Sequence, residues 1–142
     1  MPIARREAEI IWEGPLARGT GTLTSGSGAL DELAVTWASR TEQPDGRTSP
    51  EELIAAAHSS CFSMALSNAL AKAGSPPELL KTTAAVTFQP GEGITGIHLT
   101  VVGSVEGVSA EDFAAAAEDA KKNCPVSQAL TGTTITLDAT LS

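Results

Sequence analysis

Residues 48–66 read TSPEELIAAAHSSCFSMAL. Ser49 suits a helix N-cap, Pro50 suits the first helical position, and Glu52, three residues after Ser49, completes a capping box. The spacing predicts a helix from Pro50 to about Lys72, stopped by Gly74 and the Pro76-Pro77 pair. Ala55, Ala56, Ala57, Cys61, Met64, Ala65 and Leu66 leave it little polar surface, so it is expected to be central and heavily buried. It carries one of the chain's two cysteines; the other lies in NCPVSQAL, residues 123–130.

Upstream, residues 3–12 have β-type content, Glu13-Gly14-Pro15 reads as a turn, and residues 16–24 suit a returning strand. Residues 25–32, SGSGALDE, read as a loop, residues 33–38, LAVTWA, as a short strand, and residues 40–47, RTEQPDGR, as an exposed connection. Downstream, residues 81–89 and 94–105 are predicted strands joined by a turn at PGEG. A second helix starts after Ser109, with Asp112 as a weaker capping partner and Phe113, Ala116, Ala117 and Ala120 on its apolar side. Pro125 offers no backbone N–H, so the helix is expected to kink or restart at Cys124-Pro125. Residues 133–141 alternate as a last strand. The order βββ–α–ββ–α–β predicts one α+β domain over residues 1–142, a mostly antiparallel sheet around two helices.

The 142 residues carry a formal charge of −8 and are 42% hydrophobic but only 4% aromatic, with no tyrosine. Much of the apolar content is alanine. Small side chains limit the area one subunit can bury, so a dimer is expected. The acidic balance argues against nucleic acid and anionic membrane surfaces as partners. The amino-terminal stretch MPIARREAEIIWEG has two arginines but no apolar segment after them, so no secretory leader is expected. Nothing approaches 18 consecutive apolar residues, so no membrane span is expected either. Two cysteines do not make a disulfide scaffold, and in a reducing cytosol such a pair is catalytic, metal-binding or inert.

Cys61 lies ten or eleven residues into its helix, beyond the reach of the helix dipole. Alanine-rich burial raises a thiol's pKa. A reactive Cys61 therefore needs a cation from elsewhere, with Arg18, Arg40 and Arg47 as candidates and His58 one turn earlier on the same face. Cys124, at the N-cap of a helix restarting at Pro125, would face free backbone N–H groups, and on local grounds is the better nucleophile. Glu51 is not needed for the capping box, but ten residues at 1.5 Å each put it about 15 Å along the axis from Cys61. The two cannot easily share a site within one subunit; to cooperate, Glu51 would come from a partner chain or contact the same arginine from a distance. His58 and Cys61 are spaced i,i+3, too few ligands for zinc. His58 is read as a hydrogen-bonded core residue, and His98 receives the same bland reading. No phosphate-cradling loop accompanies them.

The segments PEELIAAAHSSCFSMAL and KNCPVSQAL, with WEGPLARGTGTL near the start and ITLDATL at the end, resemble the OsmC/Ohr family of thiol-dependent organic hydroperoxide reductases, in its osmotically inducible OsmC branch. The resemblance spans nearly the whole chain. It implies an intertwined homodimer with antiparallel sheet wrapped around two central helices and active sites at the subunit interface. By position, Cys61 matches the peroxidatic cysteine, Cys124 the resolving one, Glu51 the glutamate of the PEEL segment and Arg40 the arginine that precedes it. Arg18 corresponds to where the Ohr branch keeps its arginine and is the reserve. The family's order of attack, Cys61 first, opposes the local case for Cys124.

The implied activity is peroxidase chemistry on an organic hydroperoxide, in a pocket of Phe62, Met64 and interface side chains. No metal, haem or flavin is called for, and a dithiol reductant, lipoyl-bearing or thioredoxin-like, is expected in the cytoplasm. Two other classes compete: a stress or binding protein whose thiols only pack, and a Cys–His hydrolase using Cys61 and His58.

Overall fold

The computed structural model describes residues 3–142; Met1 and Pro2, at the head of the amino-terminal stretch, lie outside the described residues. The contacts divide the described chain into two compact units, parted between Pro50 and Glu51.

In the first unit, β1 (Ala8–Glu13), β2 (Thr20–Ser25) and β3 (Leu33–Val35) form an antiparallel meander, with Ile10 opposite Leu23 and Gly21 opposite Val35. Gly21 lets the strands close up: a Cβ there would sit 2.8 Å from the Ile10 side chain and 3.1 Å from the Trp12 ring. The strand expected over residues 33–38 ends early. Thr36 instead caps a five-residue helix, α1 (Trp37–Thr41), in a capping box in which Thr36 Oγ1 accepts from the Ser39 N–H and Ser39 Oγ accepts from the Thr36 N–H, both at 3.0 Å. Ser39 Oγ also donates to the Thr48 carbonyl at 2.9 Å, which ties the 42–48 connection down.

The long helix α2 runs from Pro50 to Lys72, as the capping residues predicted. After it come β4 (Leu79–Gln89) and β5 (Gly93–Ser104), an antiparallel hairpin turned at Pro90–Glu92 and bulged between Thr87 and Phe88. Then follow α3 (Ala110–Asn123), α4 (Pro125–Ala129) and β6 (Ile135–Leu141). Ser109 caps α3 by accepting from the Asp112 N–H at 3.1 Å. The helices α3 and α4 return the chain to the start of β5, so β6 pairs with β5 in parallel; a helical crossover is what parallel pairing requires. The class is α+β with mostly antiparallel pairing, as expected, but in two separate three-stranded sheets.

The core of the second unit lies between α2, α3 and the sheet. Phe62, Leu66 and Leu70, four residues apart on α2, meet Leu99 and Val101 of β5 and Phe113, Ala117 and Ala120 of α3. Ser63 Oγ donates to Thr82 Oγ1 at 2.7 Å and fixes α2 against β4. Gly103 makes room for Phe113, whose ring would be 2.6 Å from a Cβ at that position. The expectation of a heavily buried α2 holds for this stripe alone: Ala56, Ala57 and Ser60 are exposed, and Met64 is 72% exposed. By length and composition α2 could cross a bilayer, which the run of apolar residues did not suggest. Its stripe in the core marks it instead as the central helix of this unit.

Candidate active site

Cys61 sits on the flank of the buried α2 stripe and is half-buried; Cys124 is fully buried between α3 and α4. Sixty-three positions separate them in sequence, yet the fold brings them together. The Cys61 thiol lies beside the Cys124 side chain and near the backbone N–H of Val126. Both cysteines are reduced.

The α3–α4 junction produces this contact. Cys124 ends α3 with its N–H on the Ala120 carbonyl, leaves helical geometry at φ −56° and ψ 126°, and serves as N-cap of α4, with Pro125 at the first position. The restart at Pro125 is as expected. The destination of the freed donors is not. Cys124 makes no side-chain capping bond; the N–H of Val126, second residue of α4, lies near Cys61 and favours that thiol's anion. The local case for Cys124 as nucleophile thus finds no capping donor.

Burial pushes the Cys61 thiol above its ordinary 9.0. The hydrogen bond with Cys124 and repulsion from a Cys124 thiolate add to the rise, and the Val126 N–H opposes it. An open groove of about 610 Å³ reaches Cys61. Met64, Ala65 and Ala69 of α2 form one side of it, and Asp119 and Asn123 of α3 and Pro125 the other. Phe62, expected in the pocket, is instead fully buried in the core, while Met64 does line the groove. Lys72 shares the groove, but eleven residues of helix place it about 16 Å along the axis from Cys61.

The other candidates are placed as follows. Glu51 is buried in the first turn of α2; the helix is unbroken to Cys61, so the separation of about 15 Å stands. Arg40 lies in the last turn of α1 in the first unit, its guanidinium 5.8 Å from the centre of the Trp37 ring. Arg18 is exposed in the turn after β1. Arg47 pairs with Asp45 at 3.2 Å on the surface.

His58 is fully buried, with Nε2 2.7 Å from Ser127 Oγ of α4, the hydrogen-bonded core histidine that was expected. Burial lowers its pKa below the ordinary 6.5. The His–Ser contact has the geometry of a hydrolytic dyad, but Nδ1 has no orienting partner among the described residues and Ser127 is 4% exposed, so neither group meets a substrate. His98 lies on the outer face of the sheet, with Nδ1 2.6 Å from Thr136 Oγ1 and Nε2 3.0 Å from Asp138. No cluster of metal-ligating side chains occurs among the described residues. Sequence reasoning missed Val126, whose contribution is a backbone donor, and Ser127. One sign was present: Ser127 follows Cys124 by three residues just as Cys61 follows His58.

The family described as OsmC-like protein matches residues 43–138. The chain is 43% identical over 136 residues to the Escherichia coli protein named peroxiredoxin OsmC, covering 94% of each. An organic hydroperoxide resistance protein from Elizabethkingia anophelis is similar in structure, with a TM-score of 0.69 at 25% identity over 99% of this chain and 97% of that one. A Legionella pneumophila structure described as an organic hydroperoxide resistance protein OsmC matches with a TM-score of 0.70 at 21% identity over 100% and 99%.

Proposed function

From a chain that belongs to the OsmC-like protein family, we propose a thiol peroxidase of stress defence that reduces organic hydroperoxides to alcohols. The observation that carries this reading is the contact between Cys61 and Cys124 at the end of a groove open to solvent. The Cys61 thiolate attacks the terminal oxygen of ROOH. An S–O bond forms as the O–O bond breaks, and the alkoxide takes up a proton and leaves as alcohol. Cys124 then attacks the sulfenic sulfur: the S–S bond forms, the S–O bond breaks, and hydroxide leaves with the Cys124 proton as water. An external dithiol, lipoyl-bearing or thioredoxin-like, reopens the bridge by exchange and is itself oxidised. No step calls for a metal or organic cofactor. Apolar side chains along the groove give an alkyl tail burial energy that hydrogen peroxide cannot gain.

Cys61 attacks first in this reading because it is the thiol the groove reaches, Cys124 being fully buried. Since burial holds Cys61 protonated, a cation must ionise it, and we assign that role to Arg40, with Glu51, from the partner chain or at a distance from the thiol, orienting the guanidinium through a two-point ion pair, and Arg18 in reserve. The matching sequence segments support this assignment. The active species is assigned as a homodimer in the cytoplasm.

The decisive experiment adds cumene hydroperoxide to reduced protein. Both thiols are consumed and one intrachain disulfide joins Cys61 to Cys124; two thiols still free afterwards would refute the mechanism. Arg40→Gln is expected to slow the first oxidation at least about tenfold, the effect of losing a charge-assisted contact of about 1.5–3 kcal/mol, whereas Arg18→Gln leaves the rate near wild type. The reverse order would transfer the role to Arg18.

A further inference from the structure

We propose that His58 and Ser127 are positioning residues for the condensation step, their hydrogen bond holding α4 against α2 so that Cys124 stays beside the Cys61 sulfenic acid. The proposal rests on the peroxidase reading above. It begins with the weakness of α4. Five residues are far too few for a helix that persists by itself. Its N-cap is Cys124, which contributes no side-chain bond, and the Ser127 and Val126 carbonyls are met only by the Leu130 N–H that follows. The position of α4 must therefore come from contacts with other elements. One is the packing of Val126 on the core. A directional one is between Ser127 Oγ and His58 Nε2 at 2.7 Å, joining residues 69 apart in the chain.

The register of that bond matters. His58 and Cys61 stand one turn apart on α2, and Cys124 and Ser127 span the entry to α4. His58 meets Ser127, and Cys61 meets Cys124 and the Val126 N–H. The two contacts are rungs of one antiparallel ladder, about one helical turn apart. A shift of α4 that opens the His58–Ser127 rung carries Cys124 and the Val126 donor away from Cys61.

The chemistry of His58 supports a role beyond filling space. Beyond His58 the stripe continues as Phe62, Leu66 and Leu70, with buried Glu51 two turns before it, and an apolar side chain at position 58 would bury no polar atoms of its own. The imidazole instead leaves Nδ1 without a partner among the described residues. What it gains is a hold on the Ser127 hydroxyl.

Only the second chemical step needs both sulfurs. There the Cys124 sulfur must reach the sulfenic sulfur in line with the departing oxygen, and a displacement of about 1 Å in a reacting pair can cost up to about a hundredfold in rate. Of the two sulfurs the first step needs only that of Cys61, and a retreating Cys124 and Val126 N–H act on its ionisation in opposite directions.

The test uses reduced, full-length protein, one equivalent of cumene hydroperoxide, and dimedone to trap the sulfenic acid. In wild type the Cys61–Cys124 disulfide dominates. In Ser127→Ala the ratio of Cys61 dimedone adduct to disulfide rises roughly ten- to hundredfold, while peroxide consumption in the first turnover stays within about threefold. Ser127→Thr, which keeps the hydroxyl, returns the ratio toward wild type. His58→Leu, which has no group to bond the hydroxyl, behaves like Ser127→Ala, and the double variant adds little to either, as partners in one contact do. His58→Leu alone also serves as the test if Ser127→Ala does not fold. A lower melting temperature with an unchanged ratio would show a structural contact only and overturn the inference. If wild type itself loses no thiol to peroxide, the peroxidase reading falls first and this one with it.

Discussion

Two opposed influences meet at the Cys61 sulfur. Burial and the neighbouring Cys124 thiol hold it protonated, and the Val126 N–H favours the anion. Cys124→Ala removes the neighbouring thiol and its repulsion together and leaves the Val126 N–H in place. The Cys61 pKa is therefore expected to fall in this variant, seen as an acid shift of the thiolate absorbance or of alkylation rate against pH. No shift, or a rise, would mean that the Cys124 contact does not govern this thiol. His58 makes a second prediction. Its folded-state pKa lies below 6.5, so above that pH its contribution to stability is complete. Below it the unfolded chain takes up a proton that the folded chain resists, and stability declines. His58→Gln should lose less melting temperature than wild type between pH 7.5 and 5.5. These residues could be read from the sequence unequally. The cysteines and His58 announce themselves as residue types. The fate of the α4 N–H groups does not, because a backbone donor looks the same in every sequence and only the geometry at Pro125 aims this one at Cys61.

Among the elements, α2 and α3 were the easiest to foresee, since Ser49-Pro50 and Ser109 mark their starts and glycine or proline their ends. Three features escaped. The helix α1 is five residues long, too short for periodicity to show, and its Thr36–Ser39 box sits inside a run of strand-like residues. Two separate sheets cannot be told from one by strand propensity. The parallel pairing of β6 follows from where the α3–α4 crossover delivers the chain, which no local pattern in residues 133–141 records. The same crossover sets the candidate site, because α3 must lie flat on the sheet, against β6, for its end to present Cys124. Gly103 permits this: its missing Cβ is the space that the Phe113 ring occupies. Gly103→Ala should cost about 1–3 kcal/mol as an overpacked core, measured by denaturant unfolding. It should also slow disulfide formation, as α3 is pushed from the sheet. Full stability and rate in this variant would show that the ring moves aside freely.

Across the whole molecule, several large apolar side chains stand exposed. Met64 is 72% exposed and Leu79 59%, and in β1 Ile10, Ile11 and Trp12 are 50%, 56% and 40% exposed. Isolated exposed apolar residues are ordinary. Here, however, one is a methionine halfway along the central helix, beside the thiol that the groove serves. The alanine-rich composition anticipated this, because small side chains fill one subunit's core without covering both sides of a 23-residue helix. The sequence could not say which side would be left open, since α2 is apolar nearly all round. We assign the open side to a second copy of the chain. Sedimentation should then give twice the chain mass, and Met64→Glu, which would place a charge in the interface, should shift the population toward monomer. If the partner also closes the groove over the alkyl tail, peroxide turnover falls as the dimer dissociates, while the Cys61–Cys124 contact within each chain survives and chemical oxidation still forms the disulfide. A wild-type monomer that turns over at full rate would remove the second copy from the mechanism and leave the groove, open as it stands, as the complete substrate site.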